Sequence, residues 1–311
     1  MQTTSLTLMI RPVNFSANVQ TMESNAFQKP GLESKAEINR MALEEFDDLV
    51  TLLRNAGVSV IVTDDTIEPA TPDSIFPNNW VSFHDNGTIV LYPMQAENRR
   101  LERRLDVLET VARHLGTLSK NYLDLTQYEL TGAFLEGTGS MVLDRDLKIA
   151  YACISPRTNE TVLEKFCSFL GYTAVIFHAT GTDKKAIYHT NVMMCVGSRF
   201  ILICLDSIGN ESERTNVINS IKKSGKALLT ITLDQMNHFA GNMLELKNKS
   251  NEAVLVMSDS AFNAIAALHD ELGKYCKIIH TPLDIIENNG GGSARCMIAE
   301  IHSVAAFNDE V

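Results

Sequence analysis

The sequence predicts an α/β protein with five-fold internal pseudo-symmetry, a propeller of strand-helix-strand repeats around a central channel. Three observations predict it. Amphipathic helical stretches alternate with short apolar strands along the chain. After each strand that follows a helix, a loop leads to a polar residue and then to another apolar strand. Those polar residues, Asn79, Glu136, His189, Asn242 and Cys296, recur at intervals of 57, 53, 53 and 54 residues. Coincidence of ordinary α/β spacing would leave arbitrary residue types at the five positions, and a set that includes Cys, His and Glu is not arbitrary.

The elements follow in order. Ile38, Met41, Ala42, Phe46, Leu49, Val50 and Leu53 recur at three and four, and the pattern stops at Gly57, which predicts the first helix. The β-rich run VSVIVTDD comes next. Further helices are expected near 99–115, 158–170, 211–223 and 260–273, each followed by an apolar strand: TLSKNYLDL (the weakest), YTAVIFHA, ALLTITLD and CKIIHTPLD. The polar positions introduce FPNNWVSF, LEGTGSMVLD, YHTNVMMCVG, FAGNMLELKN and ARCMIAEI. The clearest unit runs from RFILICLD through helix 211–223 and ALLTITLD to FAGNMLEL. The whole of 1–311 is read as a single catalytic domain.

Composition narrows the class. With 45% hydrophobic and 21% charged residues, the 311-residue chain reads as a soluble globular protein. A net charge of −11 argues against a nucleic-acid surface, which needs clustered Lys and Arg. The start MQTTSLTLMIRPVNF has no basic n-region, and no apolar stretch reaches the length of a membrane span, so a cytoplasmic location with no membrane partner is expected. The six cysteines form no CxxC pair, and five of them read as buried reduced thiols. His84, His178 and His238 form no ligand-spaced cluster, so neither a metal nor a cofactor is expected. The oligomeric state, a homo-oligomer included, stays open.

Cys296 is the exception among the cysteines. It follows NNGGGSAR, whose glycines permit positive φ and a close backbone approach to a ligand. A thiolate nucleophile needs a base and a group to protonate the departing nitrogen, for which His is suited, and a carboxylate to orient that His. Cys296, His189 and Glu136 supply these three types, each from a different repeat. Alone, His189 equally reads as a half-buried strand histidine and Glu136 as a turn carboxylate. It is their joint placement at repeat-spaced positions that carries the reading.

These motifs resemble the guanidino-group-modifying superfamily, with its five-fold α/β propeller, the pentein fold. GGGSARCM is similar to the deiminase glycine run before the nucleophilic Cys, LEG at 135–137 to its Glu-Gly motif, and YHTN at 188–191 to its His-x-Asp motif. CISPRTN at 153–159 resembles the stretch whose Arg, here Arg157, receives the substrate α-carboxylate. MIRPVNF, FPNNW and GGGSARCM resemble the citrulline-hydrolase (citrulline ureidase) branch, often labelled amidinotransferase-like. The resemblance implies a cytosolic C–N hydrolase acting on a small amino-acid substrate.

The sequence departs from the deiminase pattern at the two Asp that grip the guanidinium. Asn79 and Asn191 stand there, with Asn78 beside the first. A guanidinium offers only N–H donors and a charge, whereas a neutral ureido group also has a carbonyl acceptor, which an amide can serve. Citrulline is therefore the expected substrate, with Arg157 on its carboxylate and Arg295 or Arg11 assisting. The rival is arginine deiminase or amidinotransferase chemistry, which needs a carboxylate near the head group, with Asp73 and Asp183 as candidates. A catalytically silent, amino-acid-binding member is the remote third reading. Asn242 is a channel residue whose role is more simply structural.

Overall fold

The computed structural model describes residues 1–22, 25, 27–29, 31, 33–116 and 121–302. In these residues, fifteen strands form five three-stranded sheets. They are β1 (Leu6–Arg11) and β2 (Ser59–Asp64); β3 (Val81–Phe83), β4 (Thr88–Leu91) and β5 (Asn121–Asp124); β6 (Met141–Asp144), β7 (Ile149–Cys153) and β8 (Thr173–Phe177); β9 (Met194–Val196), β10 (Phe200–Ile203) and β11 (Ala227–Thr230); β12 (Leu244–Lys247), β13 (Ala253–Ser258) and β14 (Lys277–Thr281); and last β15 (Ala299–Glu300).

Every sheet has the same build. An inner strand pairs antiparallel with the middle strand, and the middle strand pairs parallel with the outer one. The parallel pair needs a crossover, which in each unit carries helix, and this produces the helix-strand alternation of the sequence. In the first sheet the inner strand comes from the other end of the chain: β15 pairs with β1, Thr7 opposite Glu300 and Leu8 opposite Ala299, and closes the ring. Inner strands of adjacent units touch, β6 with β9, β9 with β12, and β15 with β3. The five-fold α/β propeller predicted from the repeat is the fold observed.

Local chemistry explains the crossovers. Helix Lys35–Asn55 starts at a Ser34 capping box with Glu37 and buries Ile38, Ala42, Phe46, Leu49, Val50 and Leu53. Those side chains pack with Val254, Val256 and Ile279 of the neighbouring unit, so the helix seals a seam between blades. Asn159 and Asn210 cap Glu160–Leu170 and Glu211–Ser224, and Gly171 and Gly225 end them in the left-handed conformation.

Two predicted helices are interrupted. The stretch expected as 99–115 is a 3-10 turn, Glu97–Glu102, then extended backbone, then helix Leu105–Leu115. The stretch expected as 260–273 is Asp259–Ala264, a 3-10 turn Ala266–Leu268, and His269–Leu272. Ala261, Ile265 and Leu272 stay buried across that break, so the apolar period survives an interruption it cannot register. The strand read in TLSKNYLDL is confined to Asn121–Asp124 among the described residues, and 117–120 lie outside them. Among the described residues no helix is long and apolar enough to cross a membrane.

Candidate active site

The five repeat-spaced polar residues all lie just before inner strands, so the ring gathers them at one end of the channel. Glycines make the gathering possible. Gly137 has φ +50°, and a Cβ there would collide with Asn78 O. A Cβ at Gly139 would collide with Asn79 Nδ2 and stand 2.7 Å from His189 Nδ1. The LEGTGS segment thus lets the Asn79 and His189 side chains both pack over Gly139, with His189 bonded to Glu136.

The run before Cys296 works differently from expectation. Only Gly291 has positive φ, +65°, and its missing side chain makes room for Asn25. Gly290 and Gly292 lie flat on the ring of Phe76, where a Cβ would stand 2.7 and 2.9 Å from ring carbons. Their close approach is therefore to the FPNN motif. Tyr188 hydroxyl donates to Gly291 O, and Cys296 N donates to Ser293 O at 3.0 Å. The nucleophile candidate is thereby fixed against two other blades.

Cys296 is 3% exposed and its sulfur meets two amides. Asn191 Nδ2 donates to Sγ at 3.3 Å and Asn242 Nδ2 at 3.1 Å. The Asn242 amide is oriented by its other end, where Oδ1 accepts from Arg295 N at 3.1 Å and Cys296 N at 3.4 Å. Backbone N–H groups only donate, so the NH2 must face the sulfur. Elsewhere burial pushes the Cys153 and Cys276 thiols up to about 12 and Cys167 to about 11, and raises Cys195 and Cys204. Those five are buried free thiols.

His189 Nε2 lies 2.8 Å from Glu136 Oε2. Burial lowers the imidazole to about 4, against the pull of Glu136 and aided by Arg157 and Arg99. The ring is neutral near pH 7, Nε2–H donates to the carboxylate, and Nδ1 carries the lone pair. Burial by itself raises Glu136, but Arg157 at 3.5 Å, His189 and Arg99 at 3.8 Å outweigh it and hold the carboxyl well below the usual range. Gln95 N donates to its second oxygen at 3.0 Å.

Arg99 organises the opposite wall. It forks onto Glu102 at 2.9 and 3.0 Å and stands 3.6 Å from Asp73. Its Nη1 donates to Asn79 Oδ1 at 3.0 Å. A guanidinium cannot accept, so the Asn79 oxygen must face it and Asn79 Nδ2 must donate to Asn78 Oδ1, at 3.1 Å. Nδ2 of Asn78 then has no hydrogen-bond partner among the described residues. Asn191 Oδ1 and Asp73 Oδ1 are in the same condition, while the other Asp73 oxygen accepts from Asn18 at 2.8 Å. Arg157 lies over the Tyr188 ring at 4.9 Å and donates to Thr21 O at 3.3 Å.

Of the residues selected from sequence, Cys296, His189, Asn79, Arg157 and Asp73 line one small cavity. Glu136, Asn191 and Asn78 bond to its walls. Arg295 does not join them. Its guanidinium turns to Glu300 and Ile298 O, both at 2.9 Å, beside a separate cavity that Gln2 lines. Arg11 pairs with Asp47 on the outside, and Asp183 is exposed. Arg99 went unselected because ENRRLERR reads as a solvated charge run, although Arg99 is 2% exposed. Asn18, Thr21 and Asn25 had no sequence signal beyond following MIRPVNF. Among the described residues no three His, Cys, Asp or Glu could hold a metal ion.

The model of the family described as N,N dimethylarginine dimethylhydrolase, eukaryotic, matches residues 11–303. No curated protein matches the sequence. Three solved structures share the fold. The N-terminal domain of ArgZ bound to product, an arginine dihydrolase from the ornithine-ammonia cycle in cyanobacteria, is 16% identical at TM-score 0.73, covering 96% of this chain and 98% of that one. A mutant of AgrE in binary complex with L-arginine is 16% identical at TM-score 0.72, covering 98% and 41%. A dimethylarginine dimethylaminohydrolase adduct with S-methyl-L-thiocitrulline is 14% identical at TM-score 0.66, covering 95% and 99%.

Proposed function

The chain belongs to the N,N dimethylarginine dimethylhydrolase family of guanidino-group hydrolases, and from that premise we propose that it hydrolyses the ureido group of citrulline to ornithine, carbon dioxide and ammonia. The observation that carries this reading is the polarity around the sulfur. Both side chains that hydrogen-bond Cys296 Sγ among the described residues are amides, Asn191 and Asn242. A buried guanidinium deprived of carboxylate partners is undercompensated by about 3–5 kcal/mol per broken pair. A ureido group carries no charge and needs both a donor and an acceptor. Asn78 Nδ2 and Asn191 Oδ1, each without a partner among the described residues, are one of each.

The charged wall suits the other end of the substrate. Asp73 Oδ1 is an acceptor for an α-ammonium, and Arg157 a fork for an α-carboxylate. In the scheme we favour, His189 Nδ1 takes the Cys296 proton and the thiolate attacks the ureido carbon. The tetrahedral adduct expels one nitrogen, protonated by His189, and leaves an S-linked carbamoyl group. Water, deprotonated by His189, then breaks the C–S bond and returns the thiol. Carbon dioxide and the second nitrogen part from the carbamate. Glu136 positions the imidazole throughout. In this reading 1–311 acts as one catalytic domain, and the scheme calls on no metal or cofactor.

Hydrolysis of arginine is the second reading. It is favoured by the Asp73 carboxylate in the cavity and by the relatives named for arginine. Turnover of the two amino acids, measured side by side, separates the readings. Ornithine and ammonia from citrulline with arginine left largely intact is the expected result, and equal or better turnover of arginine sinks it. Cys296→Ser abolishes product formation in either case.

A further inference from the structure

We propose that Asn242 is a catalytic residue, the amide whose hydrogen bond stabilises the Cys296 thiolate formed when His189 takes its proton. The proposal rests on Cys296 being the nucleophile, and not on which amino acid is cleaved. Cysteine nucleophiles are ordinarily made reactive by a neighbouring cation or imidazolium. Among the described residues no cation or imidazole hydrogen-bonds the sulfur here. Arg99 and Arg157 are engaged with Glu102, Asp73 and Glu136, and His189 is bonded to Glu136. The donors to Sγ among the described residues are the N–H dipoles of Asn191 and Asn242.

Of the two amides, Asn242 is the one whose orientation the backbone dictates. Its Oδ1 accepts from the N–H groups of Arg295 and Cys296, and its carbonyl also accepts from Arg295 N at 3.4 Å. The NH2 group divides its two protons between Asn191 O at 3.0 Å and Cys296 Sγ at 3.1 Å. A flipped amide would set an oxygen against both acceptors and leave the two N–H groups unmet. Gly241 contributes by what it lacks. A Cβ there would collide with Val192 O and stand 2.6 Å from Met193 C. The 241–242 turn is thereby pressed against the Asn191 turn, and both amides converge on the sulfur. Asn242 is fully buried, so water does not compete for the bond.

The test is the pH profile of Cys296 alkylation by iodoacetamide, followed by mass spectrometry on the full-length protein, with Cys296→Ser as the blank. Asn242→Ala should slow alkylation at neutral pH roughly tenfold or more, since a hydrogen bond to a charged group is lost. Asn242→Asp is isosteric and keeps the acceptor for the two N–H groups, but gives up the bond to Asn191 O together with the bond to the sulfur. It should react more slowly than Asn242→Ala, because a carboxylate replaces the donor. Asn242→Ser, which restores a donor, should recover part of the rate. A structural role predicts the opposite order, with Asp closer to the wild type than Ala. That order, or wild-type alkylation in the Asp variant, overturns the proposal. Should Ala fail to fold, the order of Asn242→Ser and Asn242→Asp decides: Ser faster than Asp supports the donor role, and Asp faster than Ser overturns it. Inert citrulline with this order intact would refute the substrate and leave Asn242 standing, whereas an unreactive Cys296 in wild type would overturn both.

Discussion

The two ends of the inner strands carry the same residue types to different purposes. At one end Glu136 bonds His189, with Arg157 and Arg99 beside it. At the other Glu300 bonds His302 at 3.1 Å and Arg295 at 2.9 Å, with Arg145 at 3.6 Å. Both glutamates are held well below the ordinary carboxylate range, and burial lowers both imidazoles to about 4. The difference lies in what is left over. Near Glu300, Gln2 donates to Leu143 O and Val196 O and accepts from Arg145 N, and the Tyr172 hydroxyl beside Arg145 is buried without a hydrogen bond among the described residues, whereas Glu300, His302, Arg295, Arg145 and Gln2 have no such atom. Near Glu136, Asp73, Asn78 and Asn191 each keep an unused polar atom. Displaced titration is thus common to a site and a strut. The unspent hydrogen-bonding capacity is what separates them.

The largest expected effect comes from breaking each glutamate in turn. If Glu136 orients His189 as proposed, Glu136→Gln should lower kcat on the proposed substrate by about a hundredfold or more. Glu300→Gln should leave kcat near wild type and cost about 3–5 kcal/mol in urea unfolding, because Arg145 and Arg295 lose their partner. A folded Glu300→Gln protein without turnover would erase the distinction between the ends. Next, Gly139→Ala pushes a methyl into Asn79 and His189 together, and kcat/KM should fall about a hundredfold. An unchanged value would mean that the packing of these two side chains over Gly139 does not matter for turnover.

The pH response sharpens the comparison further. Both histidines are lowered from 6.5 to about 4, so above pH 6.5 they are neutral folded or unfolded. Between 6.5 and 4 the unfolded chain binds the extra protons, and stability falls with pH by about 3 kcal/mol for each ring. His302→Gln should remove roughly half of that loss in pH-dependent melts. It should leave the acid limb of kcat/KM, which the proposed role of His189 would set, where it was. A shifted limb would show that the two ends communicate. The smallest effect belongs to Gln2→Ala, about 1–3 kcal/mol of stability with unaltered turnover.

Much of this was readable in sequence because the repeat is written twice, in the apolar periods and in the polar residue that precedes each inner strand. Cys296, His189, Glu136 and Asn79 were marked by spacing together with residue type and motif, and the fold brings them to one cavity and its wall. Arg295 did not behave as its position suggested, since adjacent residues on a tight turn aim in different directions and Glu300 captures its guanidinium. Arg99 was hidden by composition, for only Glu102 and Asn79 in space distinguish it from the solvated arginines around it. Asn242 was visible as a position but not as a donor. Its meaning depends on two backbone N–H groups that no pattern of side chains encodes.

The pairing of β15 with β1 has a consequence for how reactivity first appears. The strand that follows Cys296 finds its partner across nearly the whole chain, so four blades can be assembled while the fifth is still one strand short. Until the ring is latched, Asn242 has no Cys296 backbone to grip, and Phe76 lacks the glycine run that lies on it. The thiol is then an ordinary cysteine. Closure of this very long-range contact is slow compared with forming any single blade. A refolding chain should therefore recover its secondary structure well before it recovers a cysteine that iodoacetamide can single out, and the latch acts as a checkpoint on assembly.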